Sequence, residues 1–87
     1  MPEYRVSLKS SAEKEFFRLP ENVSARILPK IKALAMDPRP NGSIKLKGGK
    51  DGWRVRVGSY RVIYIIDDEL KKVEVTRIAH RRDVYEA

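Results

Sequence analysis

Three arginines fall within the run Trp53-Arg54-Val55-Arg56-Val57-Gly58-Ser59-Tyr60-Arg61, and apolar side chains alternate with the first two. Gly58-Ser59 suits a two-residue hairpin loop, because glycine at the first position supplies the backbone conformation of a type II′ turn. With that loop, Val57 opposes Tyr60, Arg56 opposes Arg61, Val55 opposes Val62 and Arg54 opposes Ile63. Directly opposed residues share a sheet face. One face therefore carries Arg54, Arg56 and Arg61, and the other carries Trp53, Val55, Val57, Tyr60, Val62 and Tyr64. Arginine opposite arginine costs up to about 1 kcal/mol relative to a neutral pair. A polyanion that neutralises the pair removes that cost, and guanidinium forks match phosphate oxygens in bidentate geometry. Lys45 and Lys47, on a neighbouring strand, are expected to extend the same surface. Such a face beside aromatic rings suits single-stranded or looped RNA. A simple solvated row of cations has the same pattern.

A second group closes the chain: Ala79-His80-Arg81-Arg82-Asp83-Val84-Tyr85. Among these side chains histidine is the one suited to proton transfer at neutral pH, and the plainer alternatives are a structural histidine and a tyrosine that anchors the tail. Gly48-Gly49-Lys50-Asp51-Gly52 reads as a turn, since the spaced Gly-Lys-Ser/Thr of a phosphate loop and its following helix are missing. The chain has no cysteine and one histidine. Disulfides, thiolate zinc sites, cysteine nucleophiles and multi-histidine metal centres are thereby excluded, and neither a metal nor a cofactor is expected.

The elements that must position these groups are few. The 87 residues allow one domain, 1–87. Hydrophobic residues make up 41% and charged residues 36%, enough for a core under a solvated exterior. The net charge of +7 calls for an anionic partner, and residues 45 to 61 hold six cations against Asp51 alone. No apolar run is long enough to cross a membrane, the first residues have no signal-peptide core, and the absence of cysteine fits a cytoplasmic protein.

Tyr4, Val6 and Leu8 alternate as in a half-buried strand. Ser10 with Glu13 resembles a capping box opening a helix whose inner face is Ala12, Phe16 and Leu19. A second helix is predicted from about Glu21 to Met36, with Val23, Ile27, Ile31, Leu34 and Ala35 as its stripe and Pro29 on the solvent side. Strands follow from Ile44, over the hairpin, and from Lys72 to Ile78. The expected class is α+β: an N-terminal strand, a two-helix hairpin, then a mostly antiparallel twisted sheet with both helices on one face.

The hairpin run together with the tail resembles the RelE branch of the RelE/ParE toxins, and the element order carries the resemblance over essentially the whole chain. It implies a toxin of a type II toxin–antitoxin system that inhibits translation by cutting mRNA in the ribosomal A site. The implied partners are a RelB-like antitoxin, in a hetero-oligomer, and the ribosome with its message. The carry-over makes Arg54, Arg56, Arg61, His80, Arg81 and Tyr85 the catalytic set; beside it, Lys45, Lys47 and Arg82 are expected to bind RNA. The implied reaction is metal-independent attack of the 2′-hydroxyl on the adjacent phosphate, with Arg56, Arg61 and Arg81 around the phosphorane. This sequence has Arg54 and Arg56 where the best-known RelE pattern has lysines. Arginine keeps its proton, so by intrinsic pKa the proton transfer falls to His80. The alternatives are a ParE-like inhibitor of DNA gyrase on the same fold, a non-catalytic RNA- or ribosome-binding module, and a basic face that serves only to bind an acidic antitoxin.

Overall fold

The structure, a computed structural model, describes residues 3–47 and 52–83. Strand β1 (Arg5–Leu8) leads into helices α1 (Ser10–Phe17) and α2 (Glu21–Ala33). Strands β2 (Ile44–Lys45), β3 (Gly52–Val57), β4 (Tyr60–Asp67) and β5 (Lys72–His80) follow, and a short 3₁₀ turn (Arg81–Asp83) ends the described chain. The sheet order is β1-β5-β4-β3-β2. β1 runs parallel to β5, and the other neighbours are antiparallel.

The period-two pattern of β3 and β4 sorts their side chains as the sequence predicts. Val55, Val57, Val62, Tyr64 and Ile66 are buried against Ala12, Ile27, Ile31 and Leu34 of the helical layer, with Val73, Val75 and Ile78 from β5. Both helices thus cover one sheet face, which buries the apolar stripe that neither helix could hide alone. Phe17, at the edge of the α1 stripe, is left 76% exposed. Pro29 lies on the exposed side of α2, where water can take the carbonyl that its missing N–H leaves unpaired.

Several local expectations need correction. Lys9, not Ser10, occupies the N-cap of α1, with no side-chain cap, and the Glu13 N–H bonds instead to the Lys9 carbonyl (2.8 Å). α2 ends at Ala33 rather than Met36: residues 34–36 tighten into a turn, and the Ala35 carbonyl accepts the Tyr4 N–H at 2.9 Å, tying β1 to the helix end. β2 keeps only two residues. β5 runs on to His80 and contains a bulge that nothing in its composition announces.

The end of the sheet farthest from the Gly58-Ser59 turn is closed by a polar clamp. Asp68 accepts two bonds from the Arg39 guanidinium (2.8 and 3.2 Å) and one from the Tyr4 hydroxyl (2.6 Å). Arg39 also lies over the Trp53 ring, 5.1 Å from its centre. These donors hold the Asp68 carboxyl down at about 2. The Tyr64 hydroxyl, inside the core, donates to the Pro38 carbonyl at 2.8 Å, and burial pushes it up to about 12.

Candidate functional site

The β3–β4 hairpin adopts the register derived from its turn: Val57↔Tyr60, Arg56↔Arg61, Val55↔Val62 and Arg54↔Ile63. Gly58 has φ +60° while Ser59 stays at negative φ, the signature of a type II′ turn. Arg54, Arg56 and Arg61 accordingly share the sheet face turned away from the helices. Their environments differ: Arg56 is exposed, Arg61 half-buried, and Arg54 only 8% exposed. Among the described residues the buried Nε of Arg61 has no hydrogen-bond partner. A buried donor left unpaired costs about 1–3 kcal/mol. Together with the like-charge pairing of Arg56 and Arg61, this makes the face a place held at some energetic expense, which an anion would relieve.

β5 brings the tail to the same place. Ala79 lies opposite Arg61 and His80 opposite Tyr60. The next amide, of Arg81, donates to the Ser59 carbonyl at 2.8 Å, which fixes the start of the 3₁₀ turn against the hairpin loop. That bond continues the register of Arg61↔Ala79 and Tyr60↔His80 by one step, so the backbone of Arg81 lies at the hairpin end of the ladder, where β5 gives way to the turn.

Alternation along β5 separates His80 from the arginines. His80 shares the helix side with Tyr60, in an edge-to-face contact at 5.3 Å. Its Nδ1 accepts the Arg82 backbone N–H at 3.2 Å, so a neutral ring carries its proton on Nε2. His80, Arg82, Arg18 and Arg77 border a groove of about 530 Å³ at the outer edge of β5, with Glu15 and Tyr60. The structure therefore brings Arg54, Arg56 and Arg61 to one face, sets the backbone of Arg81 at its hairpin end beside Ser59, and sets His80 and Arg82 in the groove behind it. Tyr85 lies outside the described residues.

Lys45 is also displaced from the expected surface. It pairs with Trp53, and Ile44 pairs with Arg54, so Ile44 rather than Lys45 adjoins the arginines. Lys47 is exposed just beyond β2. Two further residues at the site escaped sequence reasoning. Arg26 of α2 reaches the hairpin loop, where a Cβ on Gly58 would lie 3.2 Å from its guanidinium. Glu15 of α1 accepts the Ile78 N–H at 2.8 Å. Neither carries a local signal, since both are ordinary charged residues beside a helix stripe. Among the described residues no three His, Asp or Glu side chains converge to hold a metal ion.

The fold and this face define a small α+β domain whose sheet presents clustered guanidinium groups. A family model described as the ParE toxin of the parDE type II toxin–antitoxin system matches residues 6–85. Toxin RelE of Mycobacterium tuberculosis is 33% identical over 84 residues, spanning 94% of this chain and 86% of that protein. Toxin RelG of the same organism is 29% identical over 83 residues, spanning 94% and 95%. In the archaeal RelE–RelB complex from Pyrococcus horikoshii, a chain superposes with a TM-score of 0.81 at 30% identity, covering 97% of this chain and 100% of that one. The chain therefore belongs to the RelE/ParE superfamily of toxins from type II toxin–antitoxin systems.

Proposed function

We propose that this toxin is a ribosome-dependent endoribonuclease that cuts mRNA in the A site and is neutralised by a RelB-like antitoxin. The observation that carries the reading is the pairing of Arg56 with Arg61, the latter with a buried Nε that has no partner among the described residues, beside the hairpin end where the Arg81 amide is held. In the reaction the 2′-oxygen forms a bond to the adjacent phosphorus and the bond to the 5′-oxygen breaks. The 2′-proton leaves, and a proton returns to the 5′-oxygen. The products are a 2′,3′-cyclic phosphate and a 5′-hydroxyl. Negative charge builds on the phosphorane oxygens, where fixed guanidinium groups stabilise it without rearranging.

Arg56, Arg61 and Arg81 take that role, with Arg54 beneath them as part of the electrostatic floor. Arginine does not exchange its proton at working pH, so these residues neutralise charge rather than carry protons. The ribosome contributes by holding the message in line for attack. Tyr85 remains a proposed partner at this face. His80 stands behind the sheet, and in this reading it holds, through Arg82, the turn that bears Arg81. Lys45, Lys47 and Arg82 would contribute phosphate contacts outside the reacting centre. The RelE–RelB complexes among the structural relatives support an antitoxin partner, and a net charge of +7 favours an acidic segment that folds on binding.

Primer extension on a translated message tests the reading, with purified toxin, ribosomes and a chelator, beside naked RNA and an Arg81→Ala protein. Cuts that need ribosomes, persist under chelation and vanish in the variant are expected. The match to a ParE family model favours one second reading, inhibition of DNA gyrase on the same fold. A supercoiling assay reports it if no lane shows cuts.

A further inference from the structure

Strand β1 supports only the first half of β5. Their pairing ends at Leu8↔Val75, with a last bond from the Lys9 N–H to the Val75 carbonyl at 2.8 Å. β5 continues for five more residues. In that stretch the ladder to β4 slips by one: Tyr64 pairs with Val75 but Ile63 pairs with Arg77, leaving Thr76 as the extra residue. The Thr76 hydroxyl bonds to the Ile63 carbonyl at 3.3 Å. After the slip the Ile78 N–H points outward, where none of the described strands lies. Glu15 of α1 meets it there, one carboxylate oxygen accepting the Ile78 N–H at 2.8 Å and the other lying 3.4 Å from the Arg77 Nε.

The slip decides which side of the sheet the tail serves. In an unbroken ladder Ile78 would oppose Arg61 and Arg81 would oppose Gly58, because a one-residue shift sends every side chain to the opposite face. With the bulge, Ala79 opposes Arg61, and the Arg81 amide bonds to the Ser59 carbonyl, in step with that pair. We propose that Glu15 is a positioning residue for Arg81: its carboxylate takes the place of the strand that β1 does not provide and holds β5 in the shifted register. This rests on the reading that Arg81 acts at the scissile phosphate. What Glu15 must supply is an acceptor at the right reach, not a charge.

Three substitutions separate reach from charge. Glu15→Gln keeps the length and an acceptor oxygen, Glu15→Asp keeps the charge but is one methylene short, and Glu15→Ala keeps neither. In ribosome-dependent cleavage, Glu15→Asp and Glu15→Ala are expected to lower kcat roughly tenfold, the scale of one lost hydrogen bond, with KM little changed. Glu15→Gln is expected to restore most of it. Amide hydrogen exchange and interstrand nuclear Overhauser contacts on the same folded proteins give a readout independent of cleavage. The Ile78 amide should lose protection in the Asp and Ala proteins and keep it in the Gln protein, and the Arg61–Ala79 contact should weaken with it. Full cleavage by Glu15→Asp, equal loss in Glu15→Gln, or an Ile78 amide equally protected in all four proteins would overturn the proposal. A wild-type protein that cuts nothing would sink the endoribonuclease reading alone, and the exchange data would still decide the role of Glu15.

Discussion

Arg56 and Arg61 stand directly opposite each other across the β3–β4 ladder, and the Nε of Arg61 is buried without a partner among the described residues. Neither feature helps the fold. Replacing Arg61 by leucine should therefore stabilise the protein while abolishing the proposed cleavage of mRNA. Relief of the pairing and of the orphaned donor is worth about 1 kcal/mol or more, which in a domain of this size raises Tm by roughly 4–8 °C. Thermal unfolding of Arg61→Leu beside wild type checks this; a lower Tm would mean that Arg61 belongs to the stability of the sheet.

The Asp68 clamp predicts an acid limb. The carboxyl lies at about 2 in the folded protein, held down first by the Arg39 hydrogen bonds and then by Tyr4, against about 3.9 for an unfolded aspartate. A depressed value stabilises the fold above the unfolded pKa, and the benefit disappears as pH falls from about 4 towards 2. Tm measured from pH 5 down to pH 2 should fall less steeply in Asp68→Asn than in wild type, with the variant less stable at neutral pH. The difference should shrink in high salt, because the pair is exposed.

Tyr64 predicts the opposite limb. Burial raises its hydroxyl to about 12, against an unfolded tyrosine near about 10. A raised value stabilises the fold below the unfolded pKa, and the benefit is lost as pH climbs from about 10 to 12. Tyr64→Phe removes that alkaline loss. At neutral pH it should cost about 1 kcal/mol, because the buried Pro38 carbonyl then lacks its donor. Denaturant unfolding at pH 7 and pH 11 would show the gap between the two proteins narrowing at the higher pH.

Gly58 is the residue on which the hairpin register depends. Its φ of +60° and the Arg26 guanidinium 3.2 Å from any added Cβ both resist a side chain. Gly58→Ala should destabilise by about 1–3 kcal/mol, and the arginine face should lose order with it. Circular dichroism melts and cleavage assays on that variant read both effects.

Legibility from sequence followed the strength of local signals. The hairpin was readable because Gly58-Ser59 names its own turn and the strict alternation from Trp53 to Tyr64 leaves one register that buries the apolar set. The helical layer was readable from the spacing of Ile27, Ile31 and Leu34. The placement of His80 was not, because it depends on the bulge at Thr76, and threonine in a β-branched strand is what an unbroken strand also contains. The side of Lys45 is not legible for a related reason: no turn residue in the sequence names the register of β2 on β3, and the two-residue ladder puts Ile44 beside Arg54. The α1 cap failed because the Lys9 carbonyl met the Glu13 amide without help from any side chain.

The parallel pair of β1 with β5 has a consequence for assembly. Val6 finds its partner only in Val73, so nearly the whole chain must be made before the first strand can join the sheet. Contacts of such long sequence separation close late and slowly. The strand that completes the sheet is also the one that leads directly into Arg81. A chain interrupted before residue 72 carries Arg54, Arg56 and Arg61 but cannot gather them with Arg81, so sheet closure and completion of the guanidinium cluster are a single event in the maturation of the nascent polypeptide.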